Sequence, residues 1–227
     1  GLSDRSHHVK VYANDTYGNM RSDEVCFTVD ANPPAISILY PQNIAYPTSS
    51  VSLNFTVNEA TDWIGYSLDG QANVTIIGNT TLIGLSDRSH HVKVYANDTY
   101  GHMGSSDTIY FTVDTTPPEA SFSYSPETPI VDETLCFNAS TSYDPEGQVV
   151  SFEWDFGDGT TGTGVTALHA YTKPGNYTVT LTIKDKAGNT DTKTITIIVQ
   201  EHPSIFPKWI PIVTVLVVVA VVLLLVY

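Results

Sequence analysis

The pattern with most chemistry in this chain is the triplet Asn-x-Ser/Thr. It occurs seven times, at Asn14, Asn54, Asn73, Asn79, Asn97, Asn138 and Asn176, out of 12 asparagines. With 48 Ser and Thr in 227 residues, chance supplies about 2.5 such triplets. Each is an acceptor for N-linked sugar, a modification of accessible surface in exported protein. Period-two reading puts Asn54, Asn73, Asn97 and Asn176 on the polar face of strands, and Asn79 in a turn. A Thr-rich β surface matching the triplet by accident accounts for about a third of them.

The other reactive side chains have fewer partners. Two His-His pairs, His7-His8 and His90-His91, invite a metal reading. Neighbours on a strand point to opposite faces, so one pair does not readily chelate one ion. No carboxylate or cysteine stands at ligand spacing from either pair, and no metal is expected there. Asp144, Glu146, Asp155 and Asp158 fall in turn-rich segments and are the hard oxygen donors that Ca²⁺ takes, but an ion wanting ~6–8 ligands finds no dense run of them. The stronger expectation is that they form Asp-Gly turns by bonding local backbone. Asp114, ahead of Thr-Thr-Pro-Pro, reads as a linker ligand or a turn starter. The segment SDRSHH holds Ser, Asp and His, yet a triad is a matter of geometry and not of adjacent letters. GxSxG and HExxH are absent, and no catalytic residue or cofactor is expected.

Composition narrows the class. Ten Lys and Arg oppose 24 Asp and Glu, a net charge of −14 without a basic cluster to neutralise phosphates, so nucleic acid is excluded as a partner. Charged residues are 15% of the chain, while 29 Thr and 13 Tyr point to hydroxyl-coated β-strands. Cys26 and Cys136 sit on the outward phase of their strands, Val25/Phe27 and Leu135/Phe137 pointing in. They fall in different modules and are not expected to pair.

Internal repetition sets the elements that carry these residues. GLSDRSHHVKVYANDTYG occurs at 1–18 and, identically, at 84–101, a period of 83. The match resumes as CFTVDANPP (26–34) against YFTVDTTPP (110–118), after a one-residue change in loop length. That period suits a small β-sandwich better than a solenoid repeat. One copy is complete, with seven short strands beginning at AISILY. In VSLNFTV the inward set is Val51, Leu53, Phe55 and Val57. WIGYSLDG reads as a strand ending in an Asp-Gly turn, with Trp63 a core aromatic. The first copy lacks about 50 residues of the unit, so Gly1 is read as a cut end. WIGYSLDG, NTTLIGL, SHHVKVYANDTYG and FTVDTTPP resemble the tandem immunoglobulin-like modules of archaeal cell-surface proteins. Asp87-Arg88 departs from that family's usual Asp-Gly turn.

Further along, SYDPEGQVVSFEWDFGDGTTGTG and HAYTKPGNYTVTLTIKDKAGNTDTKTITIIV strongly resemble a PKD domain. The resemblance implies a second immunoglobulin-like sandwich. The residues reach the same fold alone: Tyr177, Val179, Leu181 and Ile183 alternate with threonines, and Trp154 fills a core behind the Gly157-Asp158-Gly159 turn.

The chain ends in 19 uncharged residues, Trp209 to Tyr227, too long for a strand and suited to a ~30 Å helical span of hydrocarbon. Lys208 and Trp209 stand where interfacial anchors belong. The expected architecture is all-β: residues 1–33 the C-terminal part of an immunoglobulin-like repeat, 34–117 a complete repeat, 118–200 a PKD domain, 201–208 a linker, and 209–227 a single transmembrane helix. Pro33-Pro34 and Pro117-Pro118 stiffen the joints. The expected protein is a glycosylated, non-catalytic surface stalk or adhesin with extracellular domains, meeting the membrane through its helix and other surface proteins or glycans through its modules. The alternatives are the accessory tail of an extracellular protease or polysaccharide hydrolase, or a carbohydrate-binding module using outward Tyr12, Tyr95 and Tyr110.

Overall fold

A computed structural model describes residues 1–203, which hold β-strands and no α-helix. The apolar run 209–227 and most of the linker lie outside the described residues. Among the described residues no helix is long and apolar enough to cross a membrane. The chain divides into two compact units, Gly1–Thr116 with Lys186–Asn189, and Pro117–Asp185 with the chain from Thr190 onward.

The first unit begins with a two-stranded antiparallel sheet, β1 (Arg5–Asn14) against β2 (Met20–Val29). The turn between them is fixed by Asp15, whose Oδ1 accepts the Tyr17 and Asn19 N–H groups at 2.9 Å each, and by Gly18 at φ +85°. A side chain at that φ is disfavoured, hence glycine. Nearly every residue of both strands is exposed, Val9 by 44% and Val11 by 62%.

The rest of the unit is a two-layer sandwich. One layer pairs β3 (Ile36–Tyr40), β5 (Val51–Val57) and β8 (Thr80–Leu82). The other runs β4 (Ala45–Tyr46), β11 (Ile109–Val113), β9 (Arg88–Asp98), β6 (Thr61–Leu68) and β7 (Val74–Ile76), with β10 (Met103–Ser105) also on β9. Val51, Leu53 and Phe55 are buried and Val57 half-buried, as the alternation requires, and they meet Val92, Val94, Ala96 and Phe111. Asp69 (φ +52°) and Gly70 (φ +71°) occupy the central positions of the expected tight turn, closed by Gln71 N–H donating to the Leu68 carbonyl at 2.9 Å.

Trp63 corrects the sequence reading. Ile64, Tyr66 and Leu68 take the inward phase of β6, so Trp63 shares the outward phase with Gly65 and Ser67. Its indole N–H donates to Thr75 Oγ1 at 2.9 Å, and its ring lies over Gly65, where a Cβ would come within 2.4 Å of Cζ2.

In the second unit, β12 (Ser123–Ser125), β13 (Thr134–Asn138) and β16 (Thr166–Ala170) form one layer. The other is β15 (Thr161–Thr163), β14 (Val149–Asp155), β17 (Gly175–Asp185) and β18 (Thr190–Val199). Trp154 fills the core at 1% exposure and donates from Nε1 to the Gly164 carbonyl at 2.9 Å. Phe122 and Phe137 pack on its ring at centroid distances of 5.1 and 5.6 Å. Val179, Leu181 and Ile183 are fully buried; Tyr177 is half-buried and stacks on Tyr171 at 4.0 Å.

Candidate functional site

Six of the seven sequon asparagines, Asn14, Asn54, Asn73, Asn79, Asn138 and Asn176, are exposed. Asn79 sits ahead of β8 and its Oδ1 accepts the Phe55 N–H at 3.0 Å, which leaves the amide nitrogen as the free end of the side chain. Asn97 differs. It lies on the outward face of β9 opposite Trp63, is half-buried, and its Oδ1 is shielded from solvent with no hydrogen-bond partner.

The acids proposed for Ca²⁺ do not gather as one set. Asp155 Oδ1 accepts the Gly157 N–H at 2.8 Å, and Asp158 Oδ1 accepts the Thr160 N–H at 3.0 Å and its hydroxyl at 2.6 Å. Those are the turn-forming bonds the residue types favour. Asp158 Oδ2 also faces His169 Nε2 at 2.8 Å, and that imidazole stacks flat on Phe156 at 4.3 Å. Burial works to raise the Asp158 carboxyl, but Thr160 and His169 outweigh it and hold it below the ordinary range. Asp144 Oδ1 accepts the Glu146 and Gly147 N–H groups at 3.0 Å each, while its Oδ2 is shielded without a partner. Asp144 and buried Asp185 offer carboxylate oxygens within 4.8 Å of one another. Asp114 starts a turn, accepting the Thr116 N–H at 3.2 Å.

The doubled histidines separate as strand geometry demands. His90 points inward, 3% exposed, with Nδ1 2.8 Å from Asp69 Oδ2 and Nε2 2.8 Å from the Ser86 carbonyl. Arg88 donates to the same Asp69 Oδ2 at 2.7 Å, and the His91 N–H donates to Oδ1 at 2.9 Å. Partial burial pushes the Asp69 carboxyl up, but these donors prevail and its pKa lies below the usual value. This is a structural clasp on the tight turn: the carboxylate is surrounded by donors from Arg88, His90 and the His91 backbone. His91 takes the outward face.

On the first hairpin the same separation has a different result. His7 points to the apolar face, stacked on Phe27 at 5.6 Å, while His8 points outward. Opposite His8 is Cys26, and two residues along the same strand face is Glu24, paired with His8 and more loosely with Lys10 (3.8 Å). The ligating atoms of His8, Glu24 and Cys26 all lie within 4.8 Å of one another. The expectation that no carboxylate or cysteine accompanies a histidine pair is therefore corrected: ligand spacing arises across strands. Glu24-x-Cys26 at period two, facing His8 across a short turn, is the signal that could have found it. Cys26 and Cys136 are both exposed and unpaired.

Comparison with known proteins bears on the second unit above all. The profile of the PKD domain matches residues 115–199. A microbial collagenase of Vibrio alginolyticus is 42% identical over 70 residues, which cover 31% of this chain and 9% of that protein. Halomucin of Haloquadratum walsbyi is 39% identical over 97 residues, 39% of this chain and 1% of halomucin. The chain thus spans less than a tenth of either relative. Among solved structures, the PKD1 domain of the Vibrio cholerae metalloprotease PrtV is 39% identical, with 37% of this chain covering 98% of that one at a TM-score of 0.34. The fibronectin(III)-like modules of Clostridium thermocellum CbhA share 14% identity at a TM-score of 0.52, covering 76% of this chain and all of theirs, a likeness of fold alone.

Proposed function

Since the chain belongs to the PKD-domain family through residues 115–199, we propose that it works as a non-catalytic surface module array: extracellular, N-glycosylated, and anchored by residues 209–227. The observation that carries this reading is the display of six exposed sequon asparagines on β-modules, five on the two sandwiches and Asn14 on the first hairpin. At Asp69 and Asp158 the carboxylates are spent on a clasp and a turn. The apolar run supports the anchor, and halomucin's partial similarity agrees with a surface protein. In this role the modules hold a functional head or an adhesive face away from the membrane.

A second reading has its own support. The collagenase and the PrtV metalloprotease carry the matched domain as a small part of a larger enzyme, so the modules here serve as the accessory tail of such an enzyme. The test is expression with an N-terminal epitope in a host that N-glycosylates exported protein. The surface reading expects an intact mass well above the bare 24.7 kDa, removal of the epitope by protease added to whole cells, and release into the medium when 209–227 is deleted. A bare mass with a protected epitope overturns it. A protease or hydrolase domain encoded in frame ahead of Gly1 selects the tail reading.

A further inference from the structure

We propose that His8, Glu24 and Cys26 form a zinc-binding site on the outward face of the β1–β2 hairpin. The three residues come from two strands and are brought together by register alone. His8 pairs directly with Cys26, and Glu24 is two residues along the same strand, so all three side chains leave the sheet on one side. The turn held by Asp15 and Gly18 fixes that register.

The donor set selects the metal. A borderline imidazole nitrogen, a soft thiolate and one carboxylate suit Zn²⁺, whereas Ca²⁺ takes oxygen alone and about 6–8 of it. Tetrahedral zinc with bonds of about 2.0 Å to nitrogen and 2.3 Å to sulfur spaces its ligand atoms by about 3.5 Å. The three atoms already lie within 4.8 Å, so small side-chain rotations close the site. Three protein ligands leave the fourth position to water. Binding replaces the thiol proton with the metal, and that proton goes to solvent. Lys10 keeps its place on the other oxygen of Glu24, 3.8 Å away. His8 and Glu24 side chains are 50% and 46% exposed, so the ion is reached directly from solvent.

The molecule contains its own control. In the second copy His91 and Lys93 are retained on the same outward face, but Tyr110 stands where the first has Cys26, and Thr108 where it has Glu24. The second thiol is a control too: Cys136 pairs with Ser125 and Leu168 on its neighbouring strands, neither of them a metal ligand.

The experiment is alkylation of both cysteines in the full chain, with and without zinc chloride, read by peptide mass spectrometry. Zinc is expected to slow Cys26 by about tenfold or more while leaving Cys136 unchanged, since only a metal-held thiolate is shielded. His8→Asn and Glu24→Gln each restore the zinc-free rate at Cys26, and His91→Asn does not. Cobalt(II) added to the unsubstituted chain gives thiolate charge-transfer absorption with tetrahedral d–d bands, lost in Cys26→Ser, so the result does not depend on every variant keeping its hairpin. Equal slowing of the two thiols, no slowing of either, or protection that survives His8→Asn overturns the proposal.

Discussion

Residues 1–18 and 84–101 are the same sequence in two surroundings, and they fold to the same local geometry with opposite burial. His7 Nε2 lies 2.6 Å from the Ser3 carbonyl and His90 Nε2 lies 2.8 Å from that of Ser86. His7 stacks on Phe27 at 5.6 Å and 28°, and His90 on Phe111 at 5.6 Å and 29°. Asp15 and Asp98 hold the same turn, with Gly18 at φ +85° and Gly101 at φ +92°. Yet Val9 and Val11 are 44% and 62% exposed, where Val92 and Val94 are fully buried. The hairpin is thus a local product of its own residues, whereas burial is supplied by strands from residues 36–82. Hydrogen bonds and turn φ values act over a few residues; the apolar face needs a partner layer.

The largest test removes the difference. A second copy of residues 34–83 fused ahead of Gly1, with Arg21→Gly, gives the first hairpin the layer that the second one has. The substitution is needed because Gly104, the counterpart of Arg21, lies against the Pro34 carbonyl: a Cβ there would sit 1.9 Å from that oxygen. Burying Val9, Val11 and Phe27 contributes about 1.5–3 kcal/mol each before entropy is counted. Amide hydrogen exchange at Val9 and Val11 is expected to slow to the rates of Val92 and Val94. If it stays fast, the layer is not what separates the two copies.

How much of this was legible before the structure follows the same division. The inward set Val51, Leu53 and Phe55 and the core position of Trp154 follow from period and residue type, which are local. Trp63 reads as core from its size alone, but its own phase holds Gly65 and Ser67, and the other holds Ile64, Tyr66 and Leu68. The grouping of His8 with Glu24 and Cys26 was hidden because it depends on register between strands. In the second copy one extra residue changes that register. Ser106 leaves the ladder, its Oγ accepting the Val94 N–H at 3.0 Å and donating to the Asp107 carbonyl at 2.7 Å. One strand becomes two, β10 and β11, where the first copy runs unbroken from Met20 to Val29.

A smaller effect comes from deleting the same methyl groups in each copy. Val94→Ala removes them from a packed core and is expected to lower unfolding free energy by about 2 kcal/mol. Val11→Ala removes them from solvent and is expected to fall within about 0.5 kcal/mol of no change. Chemical denaturation of the two variants measures both. Equal losses would mean that the first hairpin's apolar face is covered in solution.

The smallest effect tests the turn, where the copies differ by one side chain. Asn19 Nδ2 donates to Asp15 Oδ2 at 2.8 Å, and in the second copy His102 Nδ1 faces Asp98 Oδ2 at 2.7 Å. The bond to Asp98 raises the His102 pKa, and the Asp98 carboxylate, which burial alone would push up, is held low by His102 and by backbone N–H donors. A raised histidine contributes stability that is fully present below the unfolded value of about 6.5 and is lost as pH climbs through the folded value. The depressed Asp98 contributes above about pH 4 and is lost as pH falls. The first unit should therefore lose a small increment of thermal stability between mildly acidic and mildly alkaline pH. His102→Asn rebuilds the turn of the first copy, keeps a donor to the carboxylate and removes the titration. Thermal unfolding across that range should show a shallower pH slope for the variant, and NMR titration of the unsubstituted chain should find the His102 ring protonating at higher pH than free histidine. Identical slopes would mean that the exchange of Asn19 for His102 leaves the two turns electrostatically equivalent.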